Sequence, residues 1–168
     1  MRIYLRTQWA RYFGLNVSQI TPLLLVGGQF RPNKWPALQA LGVRAVLSLQ
    51  AEREDRFIGQ PPERMLRLPV VDYTPPTLEQ IEEGVAFISA AHEAEMPVFV
   101  HCHSGVGRAP LMAAAYLMAT GGRSHQEALA LLRAARPIIG PNAEQLARLR
   151  EYEQRLRAAA RRDAAAVV

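Results

Sequence analysis

The chain has 168 residues, 49% of them apolar, and a net charge of +5 carried almost wholly by arginine, since Lys34 is its only lysine. That length suits a single domain with a substantial core, and no apolar run approaches the roughly 20 residues of a membrane span. A single cysteine excludes an internal disulfide framework, and the positive balance favours acidic or phosphorylated partners in general.

Residues 1–16 mix Arg2, Arg6 and Arg11 with Ile3, Trp9, Tyr12 and Phe13. The arginines interrupt any apolar core, so a signal-peptide layout is not expected. The segment reads as an N-terminal helix or extension, packed on the domain or lying on a membrane surface. Leu23 to Val26 reads as a strand closed by a Gly27-Gly28 turn. Asn33 suits the cap of a short helix running to Leu41, with Pro36 in its first turn and Gly42 at its end. Arg44 to Leu49 is apolar on both faces, as in a buried parallel strand. Ala51 to Glu63 is charged and reads as a surface loop or short helix. Arg53 and Arg56 stand there either as a solvated face or as candidates for a second acidic group of a substrate.

Met65 to Val71 gives a third strand, and Asp72-Tyr73-Thr74-Pro75-Pro76 a stiff loop. Thr77 with Gln80 forms a capping box, after which Leu78, Ile81, Val85 and Ile88 share one helical face. His92 and His125 read as surface helix residues. Beyond Pro97 a short apolar strand, Val98 to Val100, runs into His101-Cys102-His103-Ser104-Gly105-Val106-Gly107-Arg108-Ala109-Pro110 and then an apolar helical run. Gly121-Gly122 makes a turn. Ser124 with Glu127 and Asn142 with Gln145 cap the last two helices, and 158–168 reads as a frayed tail. The whole, 1–168, is expected to be one catalytic domain. Strands alternating with helices, then consecutive helices, predict an α/β fold whose mostly parallel sheet carries helices on both faces.

Ligands of such sheets bind at the carboxyl ends of the strands, where Cys102 stands. A loop that opens a helix presents unpaired N–H groups and partial positive charge, a ready site for phosphate. A thiol there is activated as a thiolate. Gly105 and Gly107 let the backbone turn around an anion, and Arg108 offers a planar fork to two phosphate oxygens. His103, Ser104, Gly105, Val106, Gly107 and Arg108 form the expected phosphate-binding loop. His101 is expected to order it, and His103 to stand at its rim.

His101-Cys102 followed by Arg108 resembles the His-Cys-x5-Arg signature of the cysteine-dependent protein tyrosine and dual-specificity phosphatases. Ile138-Ile139-Gly140-Pro141-Asn142 resembles a stretch of the small Vaccinia H1-related members, and the likeness spans roughly residues 20–155. It implies a phosphotyrosine-phosphatase-like fold and phosphomonoester hydrolysis through a phosphocysteine, with Cys102 as nucleophile and Arg108 holding the phosphoryl oxygens. It also implies Asp72, thirty residues before Cys102, as general acid, and gives Asn142 a part in ordering the phosphate loop. Neither a cofactor nor a metal is expected. The implied substrate is a phosphorylated protein, a lipid or inositol phosphate, or another small phosphomonoester. A cytoplasmic setting follows, with weak membrane-surface contact through the basic N-terminus and no nucleic-acid partner.

One position departs from the family. Most members carry Ser or Thr after the arginine, where this chain has Ala109. Gly107-Arg108-Ala109-Pro110 resembles the loop of the phosphatases of regenerating liver. Those end in a prenylation box, whereas the sequence here ends Ala166-Val167-Val168, so anchoring by that route is not expected. The missing hydroxyl leaves a phosphate-binding module with vestigial turnover as the rival reading. A rhodanese-like sulfurtransferase also uses a cysteine loop, but sulfur transfer needs no acid such as Asp72.

Overall fold

The computed structural model describes residues 1–166. Helix α1 (Arg2–Phe13) precedes β1 (Val17–Thr21) and β2 (Leu24–Gly28). A 3-10 turn (Pro32–Lys34), α2 (Trp35–Ala40), β3 (Ala45–Gln50) and β4 (Arg64–Val70) follow. The remainder is α3 (Leu78–Glu93), β5 (Val98–Cys102), α4 (Arg108–Gly121), α5 (His125–Ala135) and α6 (Ala143–Ala166). The five-stranded sheet has the order β1-β2-β5-β3-β4. All neighbours are parallel except β1 and β2. This is the expected α/β architecture.

Alternation along the central strands divides the core. Leu24, Val26, Ala45, Leu47, Leu49, Val98, Val100 and Cys102 face the helical layer, where Ile81, Ile88, Leu111, Leu132 and Leu149 meet them. Leu25, Val46 and Phe99 face the other way, against Trp35, Leu38 and Val43. The period of two is the strand's own. It also separates neighbours: Cys102 and His101 lie on opposite faces of one strand. The helix α4 that follows Cys102 is the most buried in the molecule, with Arg108 to Ala115 all inside.

Several local expectations hold. Thr77–Gln80 and Ser124–Glu127 are reciprocal capping boxes, and Gly122 closes α4 in the left-handed conformation. Others need correction. Gly27 and Gly28 are not a turn; they continue β2 and pair with His101 and Cys102. The short β1 is not announced by its sequence, because Val17-Ser18-Gln19-Ile20-Thr21 has only a weak apolar alternation. Asn33 caps nothing, since Lys34 precedes α2 without a side-chain cap. His92 is not a surface residue: its ring lies between the Tyr116 hydroxyl at 2.6 Å and the Leu23 carbonyl at 2.8 Å. Burial holds its pKa below the ordinary histidine value against the opposing pull of that carbonyl. His125 pairs with Glu153 at 2.5 Å. The tail does not fray at 158, because α6 continues to Ala166; the last two residues of the expected tail, Val167 and Val168, lie outside the described residues. Among the described residues no helix is long and apolar enough to cross a membrane.

Candidate active site

Strand β5 carries Cys102 to the carboxyl edge of the sheet, and the chain turns at once into α4. The backbone N–H of Gly105 donates to Cys102 Sγ at 3.3 Å, so negative charge on the sulfur is met by a donor. Four successive carbonyls of the loop are engaged from outside. His103 O accepts from Gln29 N at 3.0 Å, and Val106 O from Gly140 N at 2.9 Å. Ser104 O accepts from Asn16 Nδ2 at 3.2 Å, and Gly105 O from Arg136 Nε at 2.8 Å. A loop with its carbonyls turned outward leaves its N–H groups for an anion inside, which is the arrangement of a nest.

The tight fit requires glycine. Gly105 has φ +68, and a Cβ there would stand 2.3 Å from the Gly27 carbonyl carbon and 2.6 Å from Arg136 Nη2. Gly28 likewise has Asn16 Nδ2 at 2.1 Å from where a Cβ would be. The glycine pair of β2 is thus the flat wall on which the loop rests. Gly105→Ala is expected to destabilise the protein by about 1–3 kcal/mol through strain and displacement. Inorganic phosphate is expected to raise the unfolding temperature of the wild type and not that of the variant. Thermal unfolding with and without phosphate checks both.

Arg108, the first residue of α4, is 1% exposed. Its Nη1 donates to the Val70 carbonyl at 2.6 Å and to Glu52 at 2.8 Å. Its Nη2 lies 2.8 Å from Asp72 Oδ1, an ion-pair distance without hydrogen-bond alignment. Its Nε has no hydrogen-bond partner in the protein. A buried guanidinium fixed on one edge and unsatisfied on the other is suited to an oxyanion.

Asp72 follows β4 and is partly exposed; it accepts from Tyr73 N at 3.0 Å. Its loop is held by the start of α6. Asn142 Nδ2 donates to Tyr73 O at 2.6 Å, Gln145 Nε2 to Thr74 O at 3.2 Å, and Arg148 Nη1 to Pro76 O at 3.0 Å. Tyr73 itself has φ +63, a conformation costly for a bulky residue and sustained only where neighbours hold it.

Asp72 thus meets Arg108 at the end of the loop that Cys102 opens. Two loop-ordering expectations are corrected. Asn142 caps α6 by exchange with Gln145, but its amide reaches the aspartate loop instead of the phosphate loop. His101 points away, because strand alternation sends it to the opposite face. There its ring stacks on Phe99 with centroids 5.2 Å apart, and Nε2 meets Asp55 at 2.8 Å with both side chains buried.

Sequence reasoning missed four contributors. Arg136, fully buried, holds Gly105 O, Ser104 O and Asn16 Oδ1 together. Asn16 ties the α1–β1 link to the loop. Glu52 and Asp55 come from the charged stretch expected to be a solvated loop, yet both reach inward. That stretch is anchored further on by Trp35 Nε1 donating to Gln60 O at 2.7 Å. A faint signal existed: Glu52 and Asp55 lie within five residues of a strand apolar on both faces.

A model of the dual specificity phosphatase catalytic domain matches residues 28–155. The chain belongs to that family. Members it resembles include the dual specificity protein phosphatase Mpk3 of Drosophila melanogaster, 30% identical over 142 residues, covering 84% of this chain and 34% of the relative. Dual specificity protein phosphatase 8 of Mus musculus is 36% identical over 146 residues, covering 85% of this chain and 22% of the relative. The chain thus spans about a third or less of the length of these curated relatives. Among solved structures, PTPMT1 in complex with PI(5)P superposes with a TM-score of 0.78 at 29% identity, covering 86% of this chain and 98% of that one. A mouse dual specificity phosphatase complexed with zinc tungstate gives 0.77 at 28% identity, covering 86% and 91%. The family's catalytic domain is that of a cysteine-based phosphatase, and the matched region holds Cys102, Arg108 and Asp72.

Proposed function

We propose that the chain hydrolyses phosphomonoesters through a phosphocysteine, with Cys102 as nucleophile, Arg108 as the oxyanion clamp and Asp72 as general acid. The observation that carries this reading is the meeting of the Cys102–Arg108 loop with an aspartate from a distant part of the chain. A sulfur faces a loop N–H, a buried guanidinium has an edge without a hydrogen-bond partner, and a carboxylate stands 2.8 Å from that guanidinium. The Cys102 thiolate attacks phosphorus, and the P–O bond to the leaving group breaks. Asp72 gives its proton to the departing oxygen. Negative charge on the phosphoryl oxygens falls on Arg108 and the loop N–H groups. Water then attacks the phosphocysteine, Asp72 takes its proton back, and thiolate and inorganic phosphate are released. Incubation with an aryl phosphate and quenching in acid tests this: phosphate should be found on Cys102 by mass spectrometry.

The substrate is a phosphorylated protein or a lipid or inositol phosphate. Family membership supports the first, and likeness to PTPMT1, solved with PI(5)P, the second. A cytoplasmic setting accords with one cysteine and no disulfide. Weak contact with an anionic membrane surface is supported by α1, where Ile3, Leu5 and Trp9 are exposed in a segment that also carries Arg2, Arg6 and Arg11.

Ala109 is the observation that favours the rival reading, a phosphate-binding module with residual turnover. It is fully buried in the first turn of α4, and its methyl offers the departing sulfur no hydrogen bond. One such bond to a charged group is worth about 1.5–3 kcal/mol, or roughly ten- to a hundredfold in that step. Breakdown of the phosphocysteine is therefore expected to limit turnover of a good leaving group. Stopped-flow assays should show a burst near one equivalent of enzyme, and Ala109→Ser should raise the steady rate and shrink the burst. No burst, with Ala109→Ser no faster, would mean that the second step is not limiting.

A further inference from the structure

A cavity of about 800 Å3 adjoins the phosphate loop, with His103 and Ser104 in its wall. Arg31, Lys34 and Arg53 also line it. Resting on the phosphatase reading above, we infer that this cavity is a second anion subsite. It receives a second phosphate of a polyol substrate, a free inositol-type bisphosphate or the same headgroup on a lipid.

The charges carry most of this. Among the described residues none of Arg31, Lys34 and Arg53 forms an ion pair, and the carboxylates nearest in sequence are already committed. Glu52 is held by Arg108, Glu54 stands 3.6 Å from Arg67, and Asp55 meets His101. Three uncompensated cations around one concavity repel one another, and the concave wall focuses their field on its interior. A plain solvated face would spread such charges over convex surface or pair them with carboxylates.

The polyol follows from Gln29, which also lines the cavity. Its Oε1 is buried and accepts no hydrogen bond. An orphaned acceptor calls for a donor, and a fully ionised phosphate has none, whereas a polyol hydroxyl does. The wall comes from residues 14–16, 29–31, 33–34, 53 and 103–104. Separate stretches enclosing the space from several sides suit a compact ring better than an extended peptide. With the scissile phosphate in the Cys102 loop, the ring lies over His103 and Ser104 and the second phosphate among the three cations.

The test compares kcat/KM for an inositol bisphosphate and for the inositol monophosphate that shares its scissile position. The same headgroup is assayed on a lipid in phosphatidylcholine vesicles, and a doubly against a singly phosphorylated peptide. The wild type should prefer the bisphosphate by about tenfold or more, with the preference falling as salt rises. Arg53→Ala and the double variant Arg31→Ala/Lys34→Ala should erase most of the preference, and Arg53→Lys should keep it. Faster turnover of the vesicle form assigns the lipid source, and equal turnover the free one; both support the subsite. A ratio near one in wild type, or a preference undiminished in the variants, overturns it. A preference confined to the peptide pair overturns the polyol assignment. If nothing is turned over while calorimetry shows the bisphosphate bound by wild type and lost in the variants, the phosphatase reading fails and the subsite stands.

Discussion

Cys102→Ser is expected to reduce phosphomonoester hydrolysis by roughly ten-thousandfold or more while leaving the fold intact. Cys102 ends β5 at 1% exposure, packed in the main core, and serine is nearly isosteric, so no cavity opens. The Gly105 N–H that faces the sulfur can face a hydroxyl oxygen instead. What changes is the nucleophile: an alkanol oxygen in this loop stays protonated and attacks phosphorus poorly. Arg108, its partners and the loop N–H groups are untouched, so inorganic phosphate or vanadate should still bind. Calorimetric binding and a phosphatase assay on the same preparation separate the two properties. Substantial turnover by the purified variant would remove Cys102 from the nucleophilic role, and loss of both binding and fold would show the cysteine to be structural.

What was legible beforehand was local. The capping boxes at Thr77 and Ser124, the apolar faces of α3 and α5, and the strand-loop-helix around Cys102 each lie within a few neighbouring residues. Their physics is that of orphan N–H groups and side-chain period. The site's supports are not local. Asn16 reaches Ser104 across 88 positions, and Arg136 reaches Gly105 across 31. An arginine or asparagine in a loop has no spacing that announces such a partner. The alternation of β5 is legible too: if Cys102 faces the α4 layer, His101 must face the other, where it meets Phe99 and Asp55. The Gly27-Gly28 pair misled for a related reason. Glycines in sequence suggest a turn, but here they keep a strand flat against the phosphate loop, which only the folded sheet reveals.

Asp72→Asn is expected to cost roughly a hundred- to ten-thousandfold, the span typical of general acid catalysis, on substrates whose leaving group is a poor one such as an alkoxide. With an activated aryl phosphate the loss should be small, because that oxygen departs without a proton. The dependence on leaving group is what distinguishes an acid from a structural residue. The loop itself should stay in place, since Asn142, Gln145 and Arg148 hold its carbonyls and none of these contacts uses the Asp72 side chain. The variant does lose the negative partner of Arg108 Nη2, so phosphate should bind at least as tightly, opposite in direction to the rate. Steady-state rates on an alkyl and an activated aryl phosphate would decide it. An equal loss on both substrates would mean that the proton comes from elsewhere.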